Sequence, residues 1–126
     1  MATILGMILT NTETVPGLLI VEHYGLVQGS TIRAKHIGRD FMAGMKNLVG
    51  GELRGYTELL QESRDQAILR MSDQAKALGA NAVVNLRFST SSVAAGAAEI
   101  LCYGTAVRVE KSPVDAQSAS TQQRPN

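Results

Sequence analysis

The sequence predicts a two-layer α/β domain, with helices covering one face of a mainly antiparallel sheet. Three observations predict it. Residues 82–89 and 98–110 alternate apolar and polar side chains with a period of two, the mark of half-buried strands. An earlier stretch, 18–33, is rich in Val, Ile and Tyr and has no sustained helical period. Between these segments the period becomes helical, over 37–49 and again over 56–81. The order strand, strand, two helices, strand, strand joins the long strand to the one at 82–89 by a helical crossover and makes the last two strands a hairpin. Such a crossover is right-handed if the strands it joins are parallel.

Each element has its own reason. "ILGMILT" (4–10) is short and apolar and reads as a first strand. "NTETVPG" breaks it, and Pro16-Gly17 suits the centre of a type II turn. "LLIVEHYGLVQGSTIR" (18–33) reads as one long strand, with Gly25 and Gly29 marking bends or bulges. Ile37, Phe41, Met45 and Leu48 then recur on one helical face, which Gly50-Gly51 closes. The second helix, 56–81, lines up Leu60, Ala67, Met71, Ala75 and Leu78. Its acidic residues fall early and Lys76 falls late, which suits the helix dipole, and Gly79 is the stop signal. In "AVVNLRFS" (82–89), Ala82, Val84, Leu86 and Phe88 form one face, with Val83, Asn85, Arg87 and Ser89 on the other. "SSVAAGAA" reads as a turn. In the last strand Ile100, Cys102, Gly104 and Ala106 oppose Leu101, Tyr103, Thr105, Val107 and Val109. The remaining residues, 111–126, are rich in Ser, Gln and Ala and bury too little to offset their ordering entropy, so disorder is expected there. The domain is thus 1–110.

The totals narrow the function classes. With 126 residues the chain is one domain. Charged residues make up 18%, below the ~25% usual for soluble domains. That shortage of charged surface favours an oligomer. Net charge is +1, from 12 Lys+Arg against 11 Asp+Glu, so no strong field attracts nucleic acid or an anionic membrane. Aromatic residues are 4% and Trp is absent, which leaves few platforms for base stacking. One cysteine, Cys102, excludes an internal disulfide and a paired-cysteine zinc site. The opening "MATILGMILTN" lacks the basic and apolar regions of a signal peptide. No run approaches the ~20 apolar residues of a membrane span. A cytoplasmic location is the expectation.

The stretches "ETVPG", "IVEHYGLVQGSTIRAKHIGRD", "NLVGGELRGYTELL", "ALGANAVVNLRF" and "SSVAAGAAEILCYGTAV" resemble the YbjQ-like family, small proteins of bacteria and archaea labelled as heavy-metal-binding. The resemblance runs from Met7 to about Glu110, so "MATILG" is an extra N-terminal piece or an alternative start. It implies a β-α-β-β core with an antiparallel sheet, dodecin-subunit-like, assembled as a ring, a homopentamer. It implies no known reaction.

Two candidate sites follow from residue types. A soft-metal site needs two or three converging ligands. The candidates are Cys102, His23 and Glu22, with no CxxC or HxxxH spacing to join them; the competing account makes Cys102 a small buried hydrophobe. A ring can also build a site by repeating one ligand around its axis. An anion site would use the helix start at Gly38, whose N–H groups attract phosphate or carboxylate, with Arg33, Lys35, His36 and Arg39 as nearby positive groups. Asp40 competes for that helix start, and Glu52 lies on the glycine-rich loop "VGGELRGY". No phosphate loop is present. "STSSV" has hydroxyls but no nucleophile elbow, so the chain is not expected to be an enzyme. The reading is a binding ring for a metal ion or small ligand, or else a scaffold ring with no ligand.

Overall fold

A computed structural model of the chain describes residues 1–4, 6–33, 54–94 and 97–113. The elements are β1 (Ala2–Ile4), β2 (Met7–Leu9), β3 (Leu18–Arg33), α1 (Arg54–Ala77), β4 (Ala82–Ala94) and β5 (Ala97–Lys111). They form one five-stranded mixed sheet in the order β1-β2-β4-β5-β3. The expected β-α-β-β core is present as β3, α1, β4 and β5. β5 lies antiparallel between β4 and β3, so the two strands joined through α1 are parallel but not adjacent. The expected helix at 37–49 lies outside the described residues. No described helix is long and apolar enough to cross a membrane.

The first strand is a correction. Residues 4–10 are not one strand: the chain reverses at Gly6, and β1 pairs back on β2. β2 then adds parallel to β4, the one parallel pairing among the described strands of a sheet that is otherwise antiparallel, as expected. The turn before β3 is as expected. The Leu18 N–H donates to the Val15 carbonyl at 3.1 Å, and Gly17 takes φ 78°, as a type II turn requires.

α1 ends as its sequence predicts. Gly79 takes φ 92°, the Ala80 N–H donates to the Ala75 carbonyl at 3.1 Å, and the Gly79 N–H donates to Lys76 at 3.0 Å. This 6→1 bond is the Schellman closure. Ala67, Met71 and Ala75 are fully buried, whereas Leu78 lies beyond the helix and is exposed. The helix begins at Arg54, and its first turn holds no acidic residue, so only the Lys76 half of the dipole expectation holds.

α1 docks directly on β3. A Cβ at Gly29 would run into the Ala67 carbonyl and the Met71 amide of α1 and come 2.9 Å from the Arg70 Cβ. Gly29 therefore marks a helix contact rather than the expected bend; the bend falls at Gly25, beside the second of two bulges in β3. The core beneath α1 holds Met7, Leu9, Val27, Met71, Val83, Cys102 and Ala106. A second core, on the opposite face, gathers Val15, Ala82, Val84, Val107 and Val109.

β4 departs from simple alternation. Ala82, Val83 and Val84 are all buried, two of them toward the second core and Val83 toward α1. A register shift between Val84 and Arg87, with Asn85 at φ 54°, then moves Leu86 and Phe88 to the helix side. The bulge is anchored from outside the hairpin. The Asn85 and Leu86 N–H groups donate to the carbonyls of Thr12 and Thr10 at 2.9 and 3.1 Å. Residues 91–94, expected as turn, continue β4, so the β4–β5 hairpin reaches Ala94 opposite Ala97.

Candidate functional site

Arg33 is the last residue of β3. Lys35, His36, Gly38, Arg39, Asp40 and Glu52 lie outside the described residues, so the anion candidates remain an expectation from sequence. The three metal candidates are described, and the fold keeps them apart. Cys102 is fully buried under α1, its Sγ 3.5 Å from the Met71 Sδ. Burial pushes its thiol up from 9.0 to about 11, and its sulfur is closed off from solvent. His23 faces Val107 across the β3–β5 ladder. Val107 belongs to the core away from the helix, so His23 and Cys102 occupy opposite sheet faces. Five residues of β5 separate their ladder positions, roughly 17 Å.

Glu22 points to the helix side, opposite Arg108. The Tyr24 hydroxyl donates to its Oε2 at 3.2 Å. Loss of solvent around the phenol, then the bond to Glu22 and its negative charge, raise the Tyr24 pKa, and Arg108 opposes the rise. The Arg108 Nε lies 3.6 Å from Glu110 Oε1, with both side chains about half exposed; such a pair adds little stability. The bulges at Val21 and Tyr24 cause this crowding, since each inserts one residue that β5 does not match. Among the described residues no group of three or more His, Cys, Asp or Glu could hold a metal.

The most distinctive surface is apolar. Among the described residues, the sheet face away from α1 is covered at one end, where Val15 packs over Ala82, Val84, Val107 and Val109. At the other end the same face carries Leu26 and Ile32 of β3, with Leu101 and Tyr103 of β5 beside them by register. Leu26 is 69% exposed and Ile32 60%. Leu19 and Val21 add further exposed apolar side chains on β3. Sequence inspection found the apolar content of these strands, but a strand pattern alone does not say which apolar positions receive a cover.

The fold defines a class: a small two-layer α/β subunit with one sheet face closed by a helix and, among the described residues, the other half open. The YbjQ family model, described as "Putative heavy-metal-binding", matches residues 7–110. A "UPF0145 protein" of Hahella chejuensis is 65% identical over 104 residues, covering 82% of this chain and all of that one. Another, from Halorubrum lacusprofundi, is 57% identical over 103 residues, covering 82% of this chain and 99% of that one. The chain belongs to the YbjQ-like family. A crystal structure of a protein of unknown function from Pediococcus pentosaceus, placed in the DUF74 family, superposes with a TM-score of 0.52 at 16% identity, covering 83% of this chain and 99% of that one; it shows the fold alone. β1 precedes the matched residues. The heavy metal in the family description finds no fit in the described donors of a single subunit: the one cysteine is buried, and His23 and Glu22 point to opposite faces.

Proposed function

We propose that the chain is a subunit of a homo-oligomeric ring, and that a metal ion or small molecule binds where subunits meet. One observation carries the reading: the half of the sheet face that the described residues leave uncovered, where Leu26 and Ile32 stand exposed beside Leu101 and Tyr103. Contiguous exposed apolar surface of this kind marks an interface. The 18% charged composition supports it. A ligand at such a junction can draw exposed groups such as His23 from several copies, which a single subunit does not bring together.

Light scattering on the purified full chain tests the assembly. The mass should be a multiple of 13.4 kDa. The double variant Leu26→Lys/Ile32→Lys should return it toward the monomer while the chain stays folded. A wild-type monomer at micromolar concentration rejects the ring. Bound metal measured after purification without a His tag tests the ligand. His23→Ala should lower it and Cys102→Ser should not. A metal-free protein whose melting temperature is unmoved by millimolar phosphate or nucleotide would reject the ligand and leave a scaffold ring.

A further inference from the structure

Among the described residues β3 is the outermost strand of the sheet, 16 residues long, and four large apolar side chains on it are exposed. A long apolar edge is a template for adding another strand, because its outward N–H and C=O groups are ready to pair. The two bulges, at Val21 and Tyr24, spoil the first half of that template. The second half, from Gly25 to Arg33, runs in unbroken register against β5. It is therefore the dangerous part of the edge.

Two side chains of α1 reach that part. Gln74 Oε1 accepts the Gln28 N–H at 2.7 Å. Arg70 donates from Nη1 to the Ser30 carbonyl at 2.5 Å. Residues 28 and 30 point their backbone groups to the same side, because a strand alternates. The one N–H of Gln28 is spent on Gln74 and not on β5, so that side is the outer edge. Arg70 and Gln74 stand one helical turn apart and bracket Gly29, where the helix touches the strand. Their spacing along the helix matches the two-residue step of the strand beneath.

We propose that Arg70 and Gln74 are edge guards: they occupy two central outward groups of β3, the Gln28 N–H and the Ser30 carbonyl, and so keep an extended strand from adding to the sheet. The strand they exclude is a bare one, with the alternating apolar pattern of β3 itself, exposed when a second copy is partly unfolded. A folded second copy that pairs β3 with β3 about a two-fold axis is disfavoured by shape. In a two-fold antiparallel pairing of β3 with β3, two helices would lie over strands ~4.8 Å apart, whereas packed helices need about 8–10 Å. The guard matters for the bare strand, which brings no helix. This inference stands whether or not the ring reading holds, because it concerns the edge and not the open face.

The test uses the full chain and a fluorescent synthetic peptide with the sequence of residues 25–33. In Arg70→Ala/Gln74→Ala the peptide should bind at least tenfold more tightly than in wild type, with added strand signal in the infrared amide band. Alanine favours the helix, so the variant should keep its far-ultraviolet circular dichroism. Arg70→Lys/Gln74→Glu keeps a donor and an acceptor at the two positions and should bind the peptide no better than wild type. The same peptide with its outward amides N-methylated should bind neither protein. Equal affinity of wild type and the alanine variant, both folded, would sink the proposal. So would tight binding of the N-methylated peptide, which would show a mere hydrophobic contact.

Discussion

The two faces of the sheet are built from strands of similar apolar content, yet they end in different states. Under α1 the face is closed along the length of the helix. Gly29 lets the helix backbone lie against β3, and Ala67, Met71, Ala75, Cys102 and Ala106 are fully buried. Among the described residues, the opposite face is closed where the turn through Val15 folds over it, and Leu26 and Ile32 at its other end are exposed. Burial thus depends less on which residues a strand offers than on whether another segment reaches them. The open half is where a partner has something to gain, and the closed half is where a substitution has most to lose.

The largest effect should come from the closed face. Gly29→Val has to move the α1 backbone and not merely a side chain, since the groups it meets are the Ala67 carbonyl and the Met71 amide. A loss of at least ~3 kcal/mol is expected, read as a fall in the denaturant midpoint. A stable Gly29→Val protein would mean that the helix does not sit there.

Next comes the junction between the faces. The Asn81 side chain donates from Nδ2 to the Val109 carbonyl at 2.9 Å and accepts the Val109 N–H at 2.7 Å, extending the β4–β5 ladder by one rung. Its own backbone accepts from Ile8 and donates to Val107. Asn81→Ala leaves a strand residue without two partners and should cost about 2 kcal/mol. Chemical denaturation measures it, and Asn81→Asp should restore only the acceptor half.

A smaller effect is set by pH. The Cys102 pKa is raised in the folded state, from 9.0 to about 11. A raised pKa means the folded chain holds its proton where the unfolded chain has lost it. The stabilisation is therefore complete below pH 9 and declines as pH rises toward 11. Allowing for solvent screening, the decline should total roughly 1 kcal/mol, and Cys102→Ala should flatten that part of the stability–pH curve. An unchanged slope would place the alkaline sensitivity elsewhere, with Tyr24 next, whose pKa is shifted in the same direction.

The smallest effect on stability belongs to the open face. Leu26→Lys/Ile32→Lys should change the monomer's stability by less than about 0.5 kcal/mol, as exposed substitutions usually do, while changing the mass in solution. A large loss of stability would mean that the face is already covered within the chain.

Several features were legible from the residues alone. The Pro16-Gly17 turn, the Gly79 stop, the β3 span and the two faces of β5 all rest on local chemistry, where a fixed φ or a period of two or 3.6 decides the outcome within a few residues. The reversal at Gly6 was missed because "ILGMILT" is apolar throughout, and an apolar run does not show where it folds back. The face change in β4 was missed because it depends on Thr10 and Thr12, which are brought beside Asn85 only by the sheet. Among the metal candidates, Cys102 has a competing account as a small buried hydrophobe, and its full burial favours that account. His23 and Glu22 were grouped by adjacency, and the strand's own alternation divides them.

By itself, then, the sequence determined β3, β5, the second helix with its Gly79 stop, and the buried Ala67, Met71 and Ala75 of α1, because each is written in spacing between near neighbours. Only the tertiary structure decided that Gly29 is a docking point, that Arg70 and Gln74 reach the β3 edge, and that Leu26 and Ile32 are exposed. The first two outcomes join residues some forty positions apart, and no local period records which apolar strand positions are covered.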